Sequence, residues 1–117
     1  MEAIFDSNGH VVAWLDRENI YDEYGSHAGV VDRGNVYGHH GQHLGTLDRG
    51  LFRDQNGDAV AFIQGASGGP ILPLTEIPPI PPIPSVPPIP AIPEIPPIPP
   101  IPSLLWGEAD WHTFINV

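Results

Sequence analysis

Residues 4–67 divide without a gap into four 16-residue units, IFDSNGHVVAWLDREN, IYDEYGSHAGVVDRGN, VYGHHGQHLGTLDRGL and FRDQNGDAVAFIQGAS. Glycine recurs at Gly9, Gly25, Gly41 and Gly57. An aliphatic residue or alanine recurs at Val12, Ala28, Leu44 and Val60, and an aliphatic at Leu15, Val31, Leu47 and Ile63. A fixed period of this kind marks a repeat architecture, in which each copy is one supersecondary unit. In the fourth copy Leu51 and Phe52 resemble the opening Ile-Tyr pair one residue early, which predicts a shortened turn after Arg49.

Each unit reads as strand, turn, strand, turn. A short apolar-aromatic start leads into Asp-x-x-Gly, where Asp at the first place and Gly at the fourth suit a type I turn; the second strand ends at Asp-Arg-Gly-Asn. With a side-chain period of two, Val12 and Trp14 share one face and Ala13 and Leu15 the other, so neither face is polar. One hairpin cannot bury two apolar faces, and the four units are therefore expected to pack on one another as a stack or a ring. A ring is favoured because it leaves no strand edges and because Ala13, Gly29, Gly45 and Ala61 form a layer of the smallest residues, permitting close backbone approach. Layers of Leu15, Val31, Leu47, Ile63 and of Ile4, Ile20, Val36, Phe52 would then supply the apolar fill.

The fourfold Gly-x-x-Val-Ala-Trp-Leu and Gly-x-x-Leu-Gly-Thr-Leu segments, followed by an Ile-Pro tail, resemble the bacterial 4-fold beta flower proteins. The resemblance implies an all-β fourfold arrangement about a pseudo-fourfold axis and carries over no catalytic residues. The chain then divides into a β-repeat domain at 1–69, an Ile-Pro segment at 70–103 and an aromatic C-terminal anchor at 104–117.

Residues 77–103 are nine triplets of (Ile/Val)-Pro-x, with Ile77, Ile80, Ile83, Val86, Ile89, Ile92, Ile95, Ile98 and Ile101 in step. Proline fixes φ and disfavours α geometry before it, so the segment is expected to be polyproline II, whose three residues per turn align all nine side chains on one edge. As a straight rod it would extend roughly 80 Å, against a head about 30 Å across. Copies of the same rod are the expected cover for so long an apolar stripe. A flexible spacer and a ligand for SH3-type grooves are the alternatives, the latter without a flanking Lys or Arg to set its orientation. In the anchor, Trp106, Trp111, Phe114 and Ile115 are expected to dock on the β domain of the same or another subunit, or on another protein, with Ser103 capping a short helix.

The net charge of −10, with no lysine and four arginines, argues against nucleic acid and anionic membranes as partners. The lack of cysteine removes thiol chemistry. The N-terminus has no basic start or long apolar run, and no 18-residue apolar stretch occurs, so neither a Sec signal nor a membrane span is expected; the cytoplasm or a non-Sec export route remains. His27, His40 and His43 are the candidate metal ligands, but exposed turn histidines with no fourfold ligand set are the expected reading, and no cofactor is assigned. The Asp54 to Asp58 segment alternates oxygen ligands as calcium loops do, yet turn geometry accounts for it. The adjacent Asp16-Arg17, Asp32-Arg33 and Asp48-Arg49 pairs are expected to bridge neighbouring units weakly. With no nucleophile elbow or phosphate loop, the chain reads as a non-enzymatic assembly protein that self-associates through its isoleucine stripe. The alternative is a monomeric protein-binding module or adaptor.

Overall fold

The computed structural model describes residues 1–116. Strands β1 (Glu2–Phe5), β2 (Val11–Asp16), β3 (Asn19–Tyr21), β4 (His27–Asp32), β5 (Asn35–Gly38), β6 (His43–Asp48), β7 (Leu51–Arg53) and β8 (Ala59–Phe62) follow chain order around a closed antiparallel barrel. A short helix, α1 (Trp111–Ile115), follows the Ile-Pro segment. The repeat therefore closes as a ring. Its seam pairs Phe5 with Phe62, and their rings stack at 5.4 Å.

Pairing slips at one equivalent place in each unit, between Ile4 and Phe5, Ile20 and Tyr21, Val36 and Tyr37, and Phe52 and Arg53. Each slip accompanies an Asp-x-x-Gly-type turn whose last glycine takes a positive φ, +82° at Gly9 and +90° at Gly25, the geometry of a type I turn that runs into a bulge. The bulge breaks the expected alternation. Val12 joins Ala13 and Leu15 in the interior cluster, as Leu44 and Val60 do, whereas Trp14, paired with Tyr21, lies outside.

The units are joined by two-residue turns. Asp16 pairs with Asn19, Asp32 with Asn35 and Asp48 with Leu51, so the turn after Arg49 has the same length as the others and Phe52 stays in register with Ile4, Ile20 and Val36. The expected shortening does not occur. Arg33-Gly34 and Arg49-Gly50 lie wholly at positive φ, as type I′ turns require. Among the described residues the ion pairs within 4 Å join His10 to Glu76 and His112 to Glu23; the adjacent Asp-Arg residues make turns, not bridges.

Helix α1 plugs the barrel. Trp111, Phe114 and Ile115 enter the interior cluster, with Trp111 edge-on to Phe52 at 5.2 Å. The layer of smallest residues makes room for them: a Cβ on Gly29 would stand 3.3 Å from Ile115 Cδ1, and one on Gly45 3.1 Å from Phe114 Cε1. The same added atoms would also run into the carbonyl oxygens of Tyr37 and Arg53, so these glycines serve close backbone approach as well. Asp110, not Ser103, caps α1, accepting the Thr113 N–H at 2.8 Å. Ser103 is seven residues too early and instead donates its hydroxyl to Asp58 at 2.5 Å.

The Ile-Pro segment is not a protruding rod. The whole molecule measures 35 × 35 × 21 Å, and the segment winds around the barrel as a belt. Its N–H groups at Glu76, Ser85, Glu94 and Ser103 donate to the carbonyls of Gly9, Gly25, Gly41 and Gly57 at 2.8–3.1 Å. Four contacts spaced nine residues apart in the belt thus meet four turns spaced sixteen apart in the barrel. Phe5, Trp14, Tyr21, Tyr37 and Phe62 are buried although they lie outside the interior cluster, and keeping such aromatic surfaces from water favours a chain laid on the sheet over a solvated rod.

Candidate assembly surface

Proline has no N–H, so the third position of a triplet can donate to the barrel only where it is another residue. Glu76, Ser85, Glu94 and Ser103 meet that requirement at intervals of nine, and the remaining third positions are proline except Ala91. Opposite these donors, the belt carbonyls of Leu74, Ile83, Ile92 and Ile101 press on the turn glycines. A Cβ on Gly25 would come within 2.3 Å of the Ile83 oxygen, and one on Gly41 within 2.5 Å of the Ile92 oxygen. Each turn glycine is therefore fixed twice, by its positive φ and by the belt lying against it.

Acidic side chains strengthen two of the four contacts. The Glu76 carboxylate accepts the Val11 N–H and the Glu94 carboxylate accepts the His43 N–H, both at 2.6 Å. In the fourth unit the equivalent Ala59 N–H donates to the Leu105 carbonyl at 3.0 Å, where the chain runs beside β8 through an Ala59–Trp106 bridge. Trp106 itself packs against Phe62 with ring centres 6.2 Å apart.

Arg53 stands where the other units have Phe5, Tyr21 and Tyr37. It is 3 % exposed, and its guanidinium donates to the carbonyls of Gly57, Ser103 and Gly68 at 2.7, 2.8 and 3.0 Å. The last two lie at the two ends of the belt. Sequence reading missed this clasp; the signal was an arginine breaking an aromatic column.

With its backbone held against the turns, the belt turns its aliphatic side chains outward. The nine residues from Ile77 to Ile101 in the stripe are 88–96 % exposed, and Ile71 and Leu74 lie open ahead of them. Three consecutive spans between anchoring points each carry three: Ile77, Ile80, Ile83; Val86, Ile89, Ile92; and Ile95, Ile98, Ile101. The stripe is thus a curved apolar girdle, not a straight edge.

The histidines do not converge on an ion. His27 bonds Asn19 and His39, His43 bonds Asn35 and Gln55, and the His40 N–H donates to Gln42 Oε1. Among the described residues no three His, Asp or Glu side chains are grouped so as to hold a metal. Asp54 Oδ1 is taken by the N–H groups of Asn56 and Asp58, as in the Asp6 and Asp22 turns. No helix among the described residues is long and apolar enough to cross a membrane.

No curated protein and no solved structure matches the chain. One family model does, over residues 2–115, covering all four hairpins, the belt and the helix that plugs the barrel. The chain belongs to the 4-fold beta flower protein family.

Proposed function

We propose that this protein is a non-enzymatic assembly module that self-associates through the apolar girdle of its belt. The observation that carries this reading is the near-complete exposure of nine aliphatic side chains on a backbone already held at four points. At ~100 Å² per aliphatic side chain the girdle offers on the order of 1,000 Å² of apolar surface, above the 300–600 Å² or so of the largest patch on a typical monomer. Because the belt is ordered before association, little conformational entropy opposes docking.

A second copy is the favoured occupant because the belt from Ile77 to Ser103 carries one charged residue, Glu94, in a strongly acidic molecule. The carboxylates of Glu76 and Glu94 accept barrel N–H groups, leaving aliphatic and proline side chains between them. A curved girdle cannot be covered by one flat neighbour. One span of three side chains supplies about 300 Å², well short of the ~800 Å² per partner of a standard interface. Contacts on several spans favour an oligomer or fibre over a tight dimer. The adaptor reading through the aromatic C-terminus has less support, because Trp111, Phe114 and Ile115 fill the barrel interior.

The test is the solution mass of the full-length protein against a variant carrying Ile80→Ser, Ile89→Ser and Ile98→Ser, by light scattering across concentration. Assembly predicts species larger than a monomer that dissociate in the variant, while the variant monomer keeps its fold because these side chains face outward in the single chain. A strict monomer at high concentration, or a variant of unchanged mass, sinks the reading.

A further inference from the structure

His27 and His43 hold the same place in successive units, and one side of each ring is fixed in the same way. Nε2 meets the side-chain oxygen of the asparagine eight residues earlier, Asn19 or Asn35, at 3.0 Å. An amide oxygen only accepts, so each ring carries its proton on Nε2 and offers Nδ1 as an acceptor. The donor to Nδ1 comes from the next unit, twelve residues on, and here the two joints differ. For His43 it is the Gln55 amide nitrogen at 2.9 Å, on a side chain that can turn its oxygen to the ring instead; for His27 it is His39 Nδ1 at 3.1 Å.

We propose that the His27–His39 contact is an acid-sensitive joint between the second and third units, whose opening loosens the 38–41 turn and the belt at Glu94. A single added proton can be shared between the two Nδ1 atoms, because a neutral His39 can hold its own proton on Nε2 and accept, but a proton on each Nδ1 sets two cationic donors against one another. The 38–41 turn carries His39 on one side and on the other Gly41, whose carbonyl takes the Glu94 N–H at 2.8 Å. Displacing His39 therefore acts on that belt contact before the other three.

The surroundings do not neutralise the pair. A cleft of about 200 Å³ under the belt brings Glu18, Asp32 and Tyr37 to the same wall as both rings, and the mouth beside α1 adds Asp22, Glu23, Tyr24, His40 and His112. Among the described residues none of these carboxylates pairs with His27 or His39 within 4 Å; Glu23 faces His112 instead. Burial, and then the neighbouring His39, hold the His27 pKa below its ordinary 6.5. A histidine lowered on folding contributes stability that is fully present above 6.5 and is lost as pH falls through the lowered value, because the unfolded chain then binds more protons.

Amide hydrogen exchange on the full-length protein between pH 8 and 5, read as protection factors, tests this alongside the ring nitrogen shifts of His27. The Glu94 amide should lose protection several-fold more than the Ser85 and Ser103 amides, since its contact is the one that opens. His39→Gln copies the neighbouring joint and should remove that differential loss, and Gln55→His should create a second acid-sensitive joint. Equal loss at Ser85, Glu94 and Ser103, an unchanged profile in His39→Gln, or a His27 that titrates at its ordinary value each overturns the proposal. This test is independent of whether the girdle self-associates.

Discussion

Arg53 Nη1 donates to the Ser103 carbonyl at 2.8 Å, and that bond joins the Ser103 contacts to Gly57 and Asp58 in tying the last barrel unit to the end of the belt, fifty residues away in sequence. The other end is held by Nη2 through Gly68, so one buried cation closes the loop that the belt makes around the barrel. A cation held only by carbonyls suits a site where the Ser103 and Gly68 oxygens need a donor; the Gly57 oxygen also takes the Ser103 N–H.

Arg53→Ala is therefore expected to cost about 3 kcal/mol or more, from charge-assisted bonds lost and carbonyls left without partners. Arg53→Tyr restores the side chain that the second and third units carry and should cost less, since it refills the space. Neither variant can hold both belt ends. Denaturant unfolding gives the energies, and exchange at Ser103 and Gly69 should rise in both variants before the strands open.

Proline at a belt contact should behave differently from proline between contacts. Ser85→Pro removes the N–H that the Gly25 carbonyl accepts and is expected to destabilise by about 1–3 kcal/mol. Ala91→Pro falls where Pro82 and Pro100 stand in the flanking spans, and should be neutral or stabilising by up to about 1 kcal/mol through the unfolded chain. Melting curves for the pair decide it: equal losses would mean that the nine-residue register does not position the belt.

The turn glycines separate strain from contact. Gly65 sits at φ +84° with open space around its Cα, so Gly65→Ala should show only the cost of a left-handed alanine, about 1–2 kcal/mol. Gly25→Ala adds a collision with the Ile83 oxygen and should lose clearly more, with exchange rising at Ser85.

How much of this was legible in the sequence depends on the range of the interaction. The ring follows from a 16-residue period with two apolar faces, and the smallest layer at Ala13, Gly29, Gly45 and Ala61 could be read directly. What passes into that layer could not, because Phe114 and Ile115 arrive from the far end of the chain. The belt was misjudged because the triplet pattern speaks for local conformation, while its path is set by long-range bonds from four non-proline positions. The nine-residue spacing of Glu76, Ser85, Glu94 and Ser103 was visible, but it gains meaning only beside the sixteen-residue spacing of the glycines. Val12 was assigned to the wrong face for a local reason, since a bulge shifts side-chain alternation without changing repeat length.

The cap of α1 gives a second acid response, separable from that of His27. The Thr113 N–H, first as a backbone bond and then through the side-chain contact, lowers the Asp110 pKa from its ordinary 3.8. A carboxylate lowered on folding contributes stability that is present above 3.8 and lost as pH falls through the lowered value, so the plug should hold at pH 5 and loosen under strong acid. Asp110→Asn keeps an oxygen for Thr113 and removes the titration, and its Thr113 amide should stay protected where that of the parent does not. Asp110→Ala should lack the cap already at neutral pH, with Trp111, Phe114 and Ile115 retaining the helix in the barrel by burial. If Asp110→Ala instead released those three side chains at neutral pH, the cap and not the interior packing would be what keeps the barrel plugged.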